Sequence, residues 1–230
     1  MNIHSFPPLL GGIANPILGL LVFLRRKSEI NRIFMLLCVT IGIWNIHEFG
    51  LYIAPDALFA MYWARIFGLG LMLIPPVFLH FVLTLTGDNT RKAKWIVSGS
   101  YFIALTFVIL FWTGLMVKDY FYVISQYFPR PTKIYDIYSA FFMLATGYGI
   151  LRIFVKYQKT DQNLQRIQYR FFLIAVLLAA GIGMTNFLLS WGVRMYPIGH
   201  FGGITFTSIM AWTLVKYYQS FSFRRNNESH

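Results

Sequence analysis

Seven stretches of this chain are each apolar over about the 20 residues that a helix needs to cross roughly 30 Å of hydrocarbon. They run over 7–24, 31–54, 57–86, 95–117, 135–155, 169–191 and 198–218. A water-soluble fold of 230 residues could not hide that much apolar surface, since 57% of the residues are hydrophobic and only 12% are charged. The expected fold class is an all-α membrane protein: a seven-transmembrane-helix bundle over 1–218, then a short cytoplasmic tail over 219–230. The N-terminal MNIHSFPPLL lacks the basic lead and small-residue cleavage site of a signal peptide, so the first stretch reads as a retained helix. The single cysteine, Cys38, excludes an intrachain disulfide.

The charges flank the apolar stretches, and this sets the expected orientation. Basic residues retained on the cytoplasmic side of a membrane orient its helices. Arg25, Arg26, Lys27 and Arg32 follow the first stretch, and Arg91, Lys92 and Lys94 follow the third. Arg152, Lys156, Lys159, Arg166 and Arg170 follow the fifth; Lys216, Arg224 and Arg225 close the chain. The other side holds Lys118, Arg130, Lys133 and Arg194, which implies N-outside, C-inside in the cell (inner or plasma) membrane. The net charge of +12 thus reflects topology and contact with the lipid bilayer, and nucleic acid is not expected as a partner.

Four local features add detail. Pro75-Pro76 removes two backbone donors from the long third stretch and should kink it. Segment 118–134 alternates apolar and polar residues, which predicts a short extracytoplasmic hairpin or lid between the fourth and fifth helices. KYQKTDQNLQRIQYR, between the fifth and sixth, is compatible with helix, but a solvated loop is the default. Glycines 181, 183, 199, 202 and 203 signal close helix packing.

Polar groups inside a membrane are costly, so each one is a candidate for function. Asn45, His47 and Glu48 fall in the second stretch, Arg65 and His80 in the third, Asn186 in the sixth and His200 in the seventh. At about 1.5 Å per residue, Glu48 lies about 9 Å and Arg65 about 12 Å below the outer end of adjacent antiparallel helices, so an ion pair is expected. Such a pair could simply pin two helices. Alternatively it could help line an outer-half ligand pocket with Trp44, Asn45, Asn186 and His200. His47 and His200 could also serve as axial haem ligands, although no Cys/His cluster with metal spacing is present and no cofactor is expected. His80 reads as a packing or hydrogen-bonding residue. Lys216 lies too near the end of the last stretch to hold retinal, and the sequence shows no nucleotide loop or catalytic triad.

Several of these residues occur in a familiar order. They are Asn15-Pro16, RRKSEINRIFMLL, Trp44, ARIFGLGLMLIPPVFLHFVLTLTG, QRIQYRFFLIA, Asn186 and TLVKYY. In this the chain resembles the N-terminal seven-transmembrane sensor region of bacterial and archaeal histidine kinases. The resemblance implies a membrane receptor that senses a small-molecule or lipid ligand, works as a homodimer and drives a cytoplasmic kinase or output domain. No catalytic domain is expected here, because the sequence stops about a dozen residues past the last stretch. It would then be a truncated sensor or a stand-alone receptor. A small-solute or ion transporter and a haem-containing electron carrier are the alternatives.

Overall fold

The computed structural model describes residues 3–218 except 192, 194, 195 and 197. The expected tail over 219–230 and the outer-side Arg194 lie outside the described residues. The elements are α1 (Phe6–Arg25), α2 (Glu29–Ile53), α3 (Ala57–Phe67), α4 (Leu69–Leu85) and α5 (Arg91–Trp112). The hairpin β1 (Val117–Val123) and β2 (Gln126–Pro131) follows, then α6 (Lys133–Lys159), α7 (Asn163–Ser190) and α8 (Gly199–Thr213). Among the described residues, six helical spans are long and apolar enough to cross a membrane: α1, α2, α3 with α4, α5, α6 and α7. The last helix, α8, has 15 residues and runs on into a π-helical turn at Leu214–Tyr218.

Polar side chains define the helix ends. Ser28, Asp56 and Thr90 cap α2, α3 and α5, each accepting from the backbone amide three residues on. The Asn31 amide donates to the Arg26 carbonyl at 2.9 Å and the Val22 carbonyl at 3.3 Å, tying the end of α1 to the start of α2.

The helices pack as a ring. In order around it, α2, α4, α6, α7 and α8 each touch the next, and α8 returns to α2. Outside the ring, α1 packs on α2 and α8, and α5 packs on α4. The outward face of α1 carries exposed Leu10, Ile13, Ile17, Leu20 and Leu24, while α5 exposes Phe102, Leu105 and Ile109. Such stripes suit lipid and would be untenable in water. Inside, the core divides into two clusters. One gathers around Phe34, Phe81, Phe172 and Met210, the other around Met72, Phe107, Met116 and Tyr138.

The hairpin forms as its alternation predicts, with β1 and β2 antiparallel and a register irregularity between Val117 and Asp119. Its two-residue loop is unusual. Ile124 and Ser125 have φ of 47° and 70°, a left-handed pair that hairpin turns normally fill with Asn-Gly.

Three expectations are corrected. The third stretch is interrupted at Gly68, and the helix α4 continues unbroken through Pro75 and Pro76. A Cβ on Gly68 would sit 2.4 Å from the Phe111 ring, so the break falls where Phe111 of α5 packs against the backbone. The basic segment after the fifth stretch is helical rather than a loop: α6 extends to Lys159, α7 starts at Asn163, and Arg166 stacks over the Tyr157 ring at 5.3 Å. Finally, the glycines of α8 do make close approaches, but a Cβ on Gly181 or Gly183 would meet nothing within 4 Å.

Candidate functional site: a cavity inside the helical ring

Between the two core clusters lies a cavity of about 320 Å³, lined by all five ring helices and by the hairpin. On α2 its wall is the helical stripe Leu37, Ile41, Trp44 and Glu48, with His47 beside it. Leu71, Ile74 and Phe78 on α4 form a second stripe, and Phe142, Gly147 and Ile150 contribute from α6. From α7 come Val176, Gly183, Asn186 and Phe187, and from α8 Gly199, Gly203 and Phe206. Tyr120, Phe128 and Pro129 reach in from the hairpin.

The wall is almost wholly apolar and aromatic, and Glu48 is its one carboxylate. Glu48 is 4% exposed, and its Oε2 has no hydrogen-bond partner among the described residues. Its Oε1 lies 3.6 Å from Nδ1 of the neighbouring His47, too far for a strong hydrogen bond. Among the described residues the lining holds no lysine or arginine, and His47 is its one basic side chain.

Of the six residues singled out from the sequence, Trp44, Glu48 and Asn186 line this cavity, whereas Asn45, Arg65 and His200 do not. The Glu48–Arg65 ion pair does not form among the described residues. The physical reason is the phase of α3. Its buried face carries Ala60 and Ala64, and Trp63 is pinned to α2 by a 3.0 Å hydrogen bond to the Ile46 carbonyl. Arg65, one position further round, lies over the Tyr62 ring and beside Gly114 at the end of α5. Asn45 turns the other way, packing between Gly11 of α1 and Gly203 of α8 while its amide donates to the Ile41 carbonyl at 3.0 Å.

The remaining two serve different neighbours. His200 is 2% exposed, edge-on to the Tyr52 ring at 6.4 Å. The Asn186 Oδ1 accepts from the Gly199 amide at 3.1 Å, and the Thr185 hydroxyl accepts from the Ile198 amide at 3.1 Å. Together they satisfy amides at the start of α8 that have no carbonyl partner within the helix. Asn186 therefore anchors α7 to α8 at the edge of the cavity.

Sequence reasoning missed the aromatic wall. Tyr120, Phe128, Tyr135 and Phe187 belong to segments whose apolar residues could equally face lipid. The alternation within 118–134 was the one usable signal. Tyr138 was also missed: it is fully buried, and its hydroxyl donates to the Leu71 carbonyl at 2.7 Å.

A multi-pass membrane protein built around an internal cavity of ligand size is the class that this architecture defines. Residues 8–223 match the family described as the N-terminal 7TM region of histidine kinase, and the chain belongs to that family. It is accordingly a membrane sensor module of the histidine-kinase type. No curated protein and no solved structure matches the chain significantly.

Proposed function

We propose that the chain is the sensing part of a two-component receptor in the cell membrane, taking up a ligand in the ring cavity and passing its presence to a cytoplasmic kinase domain. The observation that carries this reading is the Glu48 carboxylate, buried in an apolar cavity with one oxygen unbonded among the described residues and only His47, 3.6 Å away, beside the other. Burying a charge without a partner is expensive, and a bundle gains no stability from it. A site that must recognise something justifies such a cost.

In this reading the bundle over 1–218 crosses the membrane seven times, with α8 and its continuation as the seventh pass and 219–230 as a cytoplasmic tail. The N-terminus is outside, as the asymmetry of Lys and Arg supports. The hairpin is then extracytoplasmic and acts as a lid, which fits the inward placement of Tyr120 and Phe128. The continuous α8 and the extended α6 and α7 are the rigid elements able to carry a shift to the other side. The chain works as a homodimer, paired near the end of α8. Phosphotransfer itself belongs to the kinase domain.

The test is a chimera in which a histidine-kinase domain is joined after Tyr218 and autophosphorylation is measured in membrane vesicles. Glu48→Gln and Trp44→Leu should each change kinase output relative to the parent while expression stays constant. Output unchanged in both would overturn the sensor reading. Reporter fusions within 118–134 and after Arg91 test the orientation, and cysteine cross-linking across 212–218 in membranes, with Cys38 removed, tests the dimer.

A further inference from the structure

Three features of the cavity bear on what fills it. The first is charge. Among the described residues Glu48 is the one carboxylate in the wall, it is 96% buried, and the one basic side chain lining the cavity with it is His47, 3.6 Å away and not a fixed charge as lysine or arginine would be. An anionic occupant would be repelled by it. A neutral occupant would leave the acid either unpaired or neutralised by a proton. A single positive charge resolves the cost directly, since attraction between opposite charges is strongest where water is excluded.

The second is the chemistry of the walls. Trp44 lies one turn from Glu48 on α2, and Tyr120, Phe128, Tyr135 and Phe187 come from the hairpin, α6 and α7. Aromatic faces carry negative potential and attract organic cations. The rest of the wall is aliphatic, which suits an apolar body attached to the charge.

The third is the way in. Gly147 of α6 and Gly183 of α7 both line the cavity, and a Cβ on either would meet nothing within 4 Å. Gly147 is exposed, near the middle of α6. The wall is therefore left without side chains at two points, one on α6 and one on α7. A ligand dissolved in the bilayer could enter beside either, with its charged end moving toward Glu48.

We propose that the cavity binds a small amphiphilic monocation, an amine or quaternary ammonium with an apolar body, held by the Glu48 carboxylate and the surrounding aromatic rings. This deepens the sensor reading above and rests on it for its biological meaning, but binding can be measured without any kinase.

The experiment uses the full chain in lipid nanodiscs, followed by thermal unfolding and by fluorescence of the tryptophans, one of which (Trp44) lines the cavity. The probes are phenethylamine, its N,N,N-trimethyl derivative, the neutral phenethyl alcohol and the anionic phenylpropionate. Both cations should stabilise the protein and alter its fluorescence. Glu48→Gln should weaken their binding about tenfold or more, the scale of losing one partner of a buried charge pair. The alcohol should bind more weakly than the amine to the parent and be little affected by the substitution.

Equal binding of amine and alcohol overturns the proposal, and so does amine binding that is indifferent to Glu48→Gln. If that variant does not fold, the comparison of amine with alcohol on the parent decides alone. Trp44→Leu then provides the second arm, and it should weaken the trimethylammonium probe most. A chimera that fails to signal while the cations bind would count against the sensor reading and leave the ligand class standing. Signalling without cation binding would do the reverse.

Discussion

The Tyr138 hydroxyl on α6 donates a 2.7 Å hydrogen bond to the Leu71 carbonyl of α4, the acceptor left without its intrahelical amide by Pro75 four residues on. A proline inside a membrane helix strands a carbonyl that water cannot reach, so a neighbouring helix must supply the donor. Here the substitute donor is fully buried, and it fixes α6 against α4 at the level of the cavity.

Tyr138→Phe should therefore destabilise the bundle by about 0.6 kcal/mol and by no more than about 1.7 kcal/mol, the average and the maximum for hydrogen bonds between membrane helices. In a Pro75→Ala background the Leu71 carbonyl regains its own amide, and the same substitution should cost much less. Reversible unfolding of the four proteins forms a double-mutant cycle that reads the coupling directly. Equal costs in both backgrounds would separate the tyrosine from the proline.

Two glycine substitutions should have opposite signs. On Gly70 of α4 a Cβ would lie 2.5 Å from the Trp44 backbone nitrogen and 2.9 Å from the Thr40 carbonyl oxygen. Backbone cannot move aside as a side-chain end can, so Gly70→Ala should cost about 1–3 kcal/mol by forcing α2 and α4 apart. On Gly99 of α5 a Cβ meets nothing within 4 Å. There the helix propensity of alanine acts alone, and Gly99→Ala should add up to about 1 kcal/mol. Thermal unfolding of both variants checks the pair.

At the other end of the bundle the α4–α5 connection is held by Asp88. Its carboxylate accepts from the Thr90 hydroxyl at 2.7 Å and the Thr90 amide at 3.2 Å, and it pairs with Arg152 of α6. The Thr90 hydroxyl first, then the Thr90 amide and the Arg152 charge, hold this carboxyl below its ordinary range against the opposing effect of burial. An acid that ionises more readily folded than unfolded adds stability above its unfolded value of about 3.9, and that stability is lost as pH falls through the folded value. The stability gap between the parent and Asp88→Asn should be wide at neutral pH and narrow below about pH 4. A gap that stays constant across that range would show that Asp88 carries no proton linkage.

The hairpin turn offers a gain. Ile124 and Ser125 occupy left-handed backbone that β-branched residues resist, at a cost of the order of 1–3 kcal/mol for each strained position. Ile124→Asn with Ser125→Gly should stiffen the hairpin, slowing amide exchange across 117–131. Unchanged exchange would mean that the turn does not limit its opening.

How far the sequence could be read follows from what each signal encodes. Apolar length reported the helices because crossing a bilayer leaves few alternatives, and alternation of apolar and polar residues reported the hairpin. Apolar residues in a membrane helix face lipid and protein alike, so helical phase stayed hidden. For that reason Glu48 and Trp44 were legible as candidates while Arg65, at a similar estimated depth, was wrongly turned toward Glu48. Asn186 was noticed for its polarity, but its use as an anchor for the start of α8 depends on the position of Gly199, thirteen residues away. The break at Gly68 was equally hidden, since it depends on the approach of Phe111 from another helix.

The central claim is that the space inside the ring is what the receptor reads. Gly183 lines it with room for a larger side chain, so Gly183→Phe fills the cavity without altering Glu48. The decisive measurement is autophosphorylation of the kinase chimera carrying Gly183→Phe, in vesicles, with stability checked by unfolding. The account predicts a folded protein whose kinase output is fixed in one state and no longer changes when phenethylamine is added. A folded variant that responds as the parent does would contradict it.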